Sequence, residues 1–326
     1  MSFVINGNEW TFNEVEPDIH KSIIDSFLDR VGIAINRNEK IWIGDDLQKR
    51  IVYEEKDFWT FMSEMPTEIV QELSAWLDRA PLYLNEDDFP DELIDSSLIT
   101  INDLPEEDNI DLSWAHYNNL NGIAVGCIGL HSSGIVNTSS TLGEAELHVI
   151  KSESEHLDFW RNAIELEGNN TDKFRALSQN AFPNLYFHED VLNGLNNLAG
   201  GYYPLRESIM KYMSVFNDYG EWVFTTPPPA LSPNERVENS GAEPSSQVIR
   251  NRFTGFGLTV EPENPNVYSN NGTRMARTIT IKSIDLYCKW HGKLQAHQNR
   301  IHIHKPIPES ENKMVIAFIC EHLPLP

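Results

Sequence analysis

The sequence predicts an α+β protein in parts: an N-terminal α+β part, a helical middle and a small C-terminal antiparallel sheet. Three observations predict it. Apolar residues recur at helical spacing in Pro17 to Val31 and again between Glu153 and Gly220. Short strand-like runs lie within Gly122 to Ile150 and after Thr278. Between the last helical stretch and the final strands, Thr225 to Ser246 holds five Pro among Ser, Asn and Gly, which neither a helix nor a central strand accepts. The expected division is an acidic α+β domain at 1–150, a helical region at 151–224, a Pro-rich linker at 225–246 and a basic, His-rich sheet domain at 247–326.

Each element has a local reason. Phe3-Val4-Ile5 and Trp10-Thr11-Phe12 flank the turn signal Asn6-Gly7-Asn8, which predicts a hairpin. Ile19, Ile23, Ile24, Phe27, Leu28 and Val31 share one helix face. Thr67 is placed to cap a helix through Ile69, Leu73 and Trp76, with Pro81 as its latest end. Asn85 to Asp111 is acidic with Pro90 and Pro105 and reads as a surface loop with short strands. Gly122 to Ile150 reads as a hairpin or meander, GIAVGCIGL and AELHVI being its strands. Gly122, Gly126 and Gly129 are no dinucleotide fingerprint, because no helix follows them, and no P-loop sequence occurs. Three helices follow: one capped at Ser154, one capped at Thr171 or Asp172, and one from Pro204 to a stop at Gly220.

Composition narrows the class. The 326 residues are 40% hydrophobic, with eight Trp and fifteen Phe, enough for a packed core. No apolar run approaches the roughly 18 residues of a membrane span, and MSFVINGNEW lacks the features of a signal peptide. Cys127, Cys288 and Cys320 are too few for a disulfide framework and fit a reducing, cytoplasmic setting. The net charge of -24 is uneven: from residue 250 onward ten basic residues outnumber six acidic ones. No Lys or Arg occurs between Arg79 and Lys151. An acidic surface of this kind serves solubility, or binds a basic protein partner.

The C-terminal segment carries the candidate chemistry. Thr278 to His291 alternates like one long half-buried strand, with Ile284, Leu286, Cys288 and Trp290 on the buried face. In Asn299 to His304, Ile301 and Ile303 point inward, so Arg300, His302 and His304 point outward together. Met314 to Cys320 is continuously apolar, hence deeply buried. Antiparallel pairing of the first two strands brings Lys289, His291, Arg300, His302 and His304 to one face. Histidine exchanges protons near neutral pH, and Arg or Lys stabilises a phosphate. Such a face suits RNA cleavage without a metal or cofactor, or passive binding of a phosphate backbone. Two other readings stand beside it: a metal set drawn from Cys288, His291, Cys320 and His322 or from His302-x-His304, and a structural sheet with solvated histidines.

CKWHGKLQAHQNRIHIH and CEHLPLP, with SEHLDFWRNAIELE and QNAFPNLYFHEDV before them, resemble a group of bacterial proteins of unassigned activity, a likeness that covers about the last half of this chain. More distantly, a short sheet with an Arg-Ile-x-Phe-like strand and a terminal His is similar to the RelE/ParE-type toxin fold, in which a small sheet packed on helices presents basic residues to mRNA. That resemblance implies roles for Arg300, His302 and His322, with Lys289 and Lys293 accessory. The expected function is a bacterial defence or toxin-type protein with an RNA-directed effector at its C-terminus. Catalysis is assigned to His291, Arg300, His302 and His322, and substrate binding to Lys289, Lys293 and His304. The alternative is a non-catalytic acidic subunit of a multiprotein defence complex.

Overall fold

The computed structural model describes residues 2–83, 99–102, 104–105, 109–225 and 244–326. The chain is of mixed α+β class and divides into two compact units, Met1–Gly168 and Asn169–Pro326. By contacts, residues 151–168 belong with the N-terminal part and 169–224 with the C-terminal sheet, where the sequence reading set a separate helical region. Most of the expected loop at 85–111 and most of the expected linker at 225–246 lie outside the described residues. Among the described residues, no helix is long and apolar enough to cross a membrane.

The first unit runs β1 (Ser2–Ile5), α1 (Pro17–Asn36), β2 (Lys40–Trp42), β3 (Ile51–Tyr53), β4 (Lys56–Asp57), α2 (Phe58–Met62), α3 (Thr67–Leu77), β5 (Thr100–Ile101), β6 (Leu104–Pro105), α4 (Ile110–Leu120), β7 (Val125–Ile128), β8 (Gly134–Ser140), β9 (Gly143–Ile150) and α5 (Glu153–Leu166). Its main sheet has the order β2-β1-β7-β9-β8-β5-β6. The β2-β1-β7-β9 half is parallel and the rest antiparallel. Both edges of β1 are therefore taken, and the expected hairpin after it does not form. Asn6 instead accepts a hydrogen bond from the Asn8 amide and opens a 3-10 turn. Likewise GIAVGCIGL and AELHVI pair in parallel as β7 and β9, and the turn-rich stretch between them supplies β8, which makes the hairpin with β9. Phe3 anchors this core, its ring 4.6 Å from that of Phe159 on α5. Two caps differ from expectation. Pro66, not Thr67, precedes α3. Ser152, not Ser154, caps α5 through a reciprocal pair with Glu155.

The second unit runs α6 (Thr171–Ala181), β10 (Leu185–Phe187), α7 (Arg206–Phe224), α8 (Ser246–Gly255), β11 (Val260–Pro262), α9 (Pro265–Ser269), α10 (Asn271–Met275), β12 (Thr278–Ile281), β13 (Ile284–Tyr287), β14 (Trp290–Lys293), β15 (Arg300–His304) and β16 (Met314–Cys320). Asn170, rather than Thr171 or Asp172, caps α6 by accepting from the amides of Asp172 and Lys173. Its sheet has the order β10-β16-β15-β14-β11, all antiparallel except β10 with β16. The deep burial expected of β16 is present: Val315, Ile316, Ala317 and Ile319 are nearly sealed from solvent. Each of the larger ones contributes about 1.5–3 kcal/mol by leaving water.

Three expectations fail here, each for a packing reason. Helix α7 runs past Gly220 to Phe224, and a Cβ at Gly220 would lie 2.6 Å from Met314 Sδ on β16. Gly220 permits close approach rather than ending the helix. The stretch from Thr278 to His291 is not one strand. Lys282 and Ser283 both adopt positive φ, 46° and 71°, and fold it into the β12–β13 hairpin. Ile284 at the turn is consequently exposed, while Leu286, Cys288 and Trp290 are buried. Finally, β15 has no solvated face: Arg300, Ile301, His302 and Ile303 are all buried. Tyr212 and Phe216 of α7 approach Gly292 on one side of the sheet. On the other, the β12–β13 hairpin packs Ile279, Ile281 and Leu286 with Val315, Ala317 and Phe318.

Candidate functional site

Strand pairing places the histidines. In the β14–β15 ladder His291 lies opposite His302 and Lys293 opposite Arg300. Directly opposed residues share a face, so the two imidazoles meet, with ring centroids 5.4 Å apart. A β-bulge sits at this point. His302 pairs with Phe318 and Ile303 with Ile316, which leaves Ala317 as an extra residue on β16. Bulges re-aim side chains and favour functional sites.

Two residues outside the expected set complete the cluster. Glu263 follows β11 and is fixed by its amide donating to the Lys289 carbonyl at 2.7 Å. Arg277, just before β12, is 1% exposed and donates from Nε to Glu263 Oε1 at 2.7 Å. Its Nη1 donates to the carbonyls of Thr273 and Pro324, which fastens the C-terminal residues beside the cluster. Glu263 Oε1 lies 3.3 Å from His291 Nδ1 and 3.7 Å from His302 Nδ1. These distances allow electrostatic attraction, yet neither contact has hydrogen-bond geometry. His291 Nδ1 and both ring nitrogens of His302 are buried without a hydrogen-bond partner, and so is Tyr287 Oη.

The electrostatics follow from that arrangement. Burial alone would raise the Glu263 carboxyl, but His291 and Arg277 outweigh it and hold it at about 2. The carboxylate is ionised and matched by Arg277. Burial, and next the charge of His291, push His302 down to about 3, so it is a neutral imidazole. A neutral, partnerless imidazole beside a carboxylate offers a lone pair. It can ligate a cation; held near 3, it is a weak base and has no acidic proton to give near neutral pH. His291 is 12% exposed and forms the open side of the cluster.

The other expected site residues are placed elsewhere or otherwise engaged. Arg300 is buried, and its guanidinium donates to the carbonyls of Gln295, Ala296, Gln298 and Asn299. It organises the β14–β15 connection, and its donors do not reach the histidine pair. Lys293 pairs with Glu261 at 3.4 Å. Lys289 is exposed, with Nζ donating to Ser246 Oγ at 3.4 Å. His304 donates from Nδ1 to the Lys305 carbonyl. His322 is exposed and donates to the Leu323 carbonyl, close enough for its charge to act on His302. Cys288 is sealed in the apolar cluster under the hairpin, and burial raises its thiol to about 12. Cys320 is raised to about 11, again by burial first. Neither is poised as a thiolate ligand.

Sequence reasoning found His291 and His302 through alternation and missed Glu263 and Arg277. Glu263 lies in Val260-Glu-Pro-Glu-Asn-Pro, a stretch whose two prolines hide a three-residue strand. Arg277 precedes a strand whose true length the Lys282–Ser283 turn concealed. No known family, curated protein or solved structure gives a significant match to this chain.

Proposed function

We propose that the second unit is an effector of toxin or defence type that cleaves RNA at the Glu263–Arg277–His291–His302 cluster. One observation carries the reading: a buried imidazole with two partnerless nitrogens faces a second imidazole and an ionised carboxylate. A fold gains nothing from that arrangement, since an unsatisfied buried polar group costs about 1–3 kcal/mol. Functional centres are where such costs persist. His291, on the open side, is the group placed to contact substrate. His302 behind it and the Glu263–Arg277 pair fix its surroundings. RNA is the favoured substrate because exposed Lys289 and half-buried Lys293 stand two residues to either side of His291 along the chain, and cationic side chains draw in a polyanion.

The test is cleavage of labelled single-stranded RNA by the full chain. Wild type should cut, and His291→Ala should lose at least about a hundredfold in rate, as removal of a positioned acid–base group does. Lys289→Ala should instead weaken binding and its salt dependence, with little change in the bound rate. Folded wild-type protein that neither binds nor cuts RNA would overturn the substrate, and cleavage retained in His291→Ala would overturn the site.

A further inference from the structure

We propose that Glu263, His291 and His302 form a binding site for one divalent transition-metal ion of the zinc class. The inference rests on the same cluster being the functional centre and not on RNA being its substrate. It departs from the metal-free chemistry that the sequence suggested.

Donor identity and spacing carry it. Two imidazoles and one carboxylate are a recurrent ligand set for zinc and its neighbours, leaving further positions for water or substrate. Their ligand atoms all lie within 4.8 Å of one another, and no other such group of His, Cys, Asp and Glu occurs among the described residues. Donors about 2.0–2.1 Å from a tetrahedral ion are separated by roughly 3.4 Å. The separations from Glu263 Oε1 to the two Nδ1 atoms, 3.3 and 3.7 Å, bracket that value. Direct hydrogen bonds would be shorter and aligned. The first unit has such a bond: His156 Nε2 lies 2.7 Å from Glu39 Oε2.

The surroundings fit the same use. His302 is 2% exposed with neither nitrogen hydrogen-bonded, and its Nδ1 lies 3.7 Å from the carboxylate, so both nitrogens are uncommitted. His291 and His302 sit on adjacent strands in register, which fixes their separation before any ion arrives. Arg277 orients the carboxylate through Nε, as groups behind a metal ligand commonly do. Its positive charge also sets a selectivity. It opposes ions held mainly by charge and oxygen, such as magnesium or calcium, and favours ions that bind imidazole. An ion there would supply the activated water that neither histidine generates alone.

The test uses the full chain prepared without a polyhistidine tag and stripped with chelator. Calorimetric titration with Zn2+ should show one equivalent per chain, and Co2+ should give visible absorption of a low-symmetry site. Mg2+ at the same concentration should do neither. His291→Ala, an edge substitution, should weaken Zn2+ binding by more than about tenfold with an unchanged circular dichroism spectrum. Glu263→Gln should do the same if it folds. Absence of Zn2+ binding by the folded wild type would overturn the site, as would one equivalent bound equally by His291→Ala. The readout is binding, so a metal site without RNA cleavage, or cleavage without a metal, separates this inference from the substrate reading.

Discussion

The two units treat buried histidine in opposite ways. In the first, each fully buried imidazole is stitched into place. His116 meets Thr138 Oγ1 and Ser140 Oγ, both at 2.8 Å. His156 sits between Glu39, at 2.7 Å, and Arg30, at 3.3 Å, and Glu39 also accepts from Trp160 Nε1. His20 donates to the Val15 carbonyl at 2.9 Å. In the second unit His302 is equally buried and has no partner. A satisfied polar group in the interior specifies the fold. An unsatisfied one opposes it, by about 1–3 kcal/mol. Burial and residue type alone do not separate the two classes; the partner list does.

Substitutions can break or sharpen this contrast. The largest loss is expected from Arg300→Ala, which strips four loop carbonyls of their donor. Urea unfolding should show a destabilisation of about 3–5 kcal/mol. A loss below 1 kcal/mol would mean that the guanidinium is free for another role. Next comes His156→Leu, which leaves the buried Glu39 carboxylate with less support. About 3 kcal/mol should be lost in the same assay, and a neutral outcome would erase the distinction between the units.

The smallest effect concerns the pH response of the first unit. Asp111 accepts from the Gly7 amide and from Tyr83 Oη, each at 2.7 Å. Burial raises its carboxyl above the ordinary value even though those bonds pull it down. A raised acid binds its proton more tightly folded than unfolded. Its contribution is therefore complete below the unfolded value, about 3.9, and is lost as pH rises through the folded value. The stability of wild type relative to Asp111→Asn should thus fall as pH rises from about 4. A difference that is flat or rising in thermal melts would place the carboxyl at or below its ordinary value.

The same contrast explains what was legible in the sequence. Helices with a regular apolar stripe were readable, as α1, α5 and α6 illustrate, because burial of one face leaves a 3.6-residue period. So was β16, whose unbroken apolar run admits only a central place in a sheet. The parallel pairing of β7 with β9 was not readable, since strand runs do not state their partners. The β12–β13 turn was hidden because Lys282-Ser283 lacks the Gly or Asn usual at positive φ. Alternation brought His291 and His302 together. It also predicted that the face bearing Arg300 and His302 is solvated, and the covering hairpin and C-terminal residues make it an interior. Glu263 and Arg277 reach the histidines from separate segments, a convergence that no local pattern encodes.

The most direct test of a functional His302 is its replacement by an apolar residue of similar size. His302→Leu, measured by urea unfolding of the full chain in chelator, should be as stable as wild type or more stable, because it removes an unsatisfied group costing about 1–3 kcal/mol. It should at the same time abolish Zn2+ binding. A loss of 2 kcal/mol or more, on the order of that for a hydrogen-bonded buried histidine, would show that His302 is part of the scaffold and not held in readiness for a ligand.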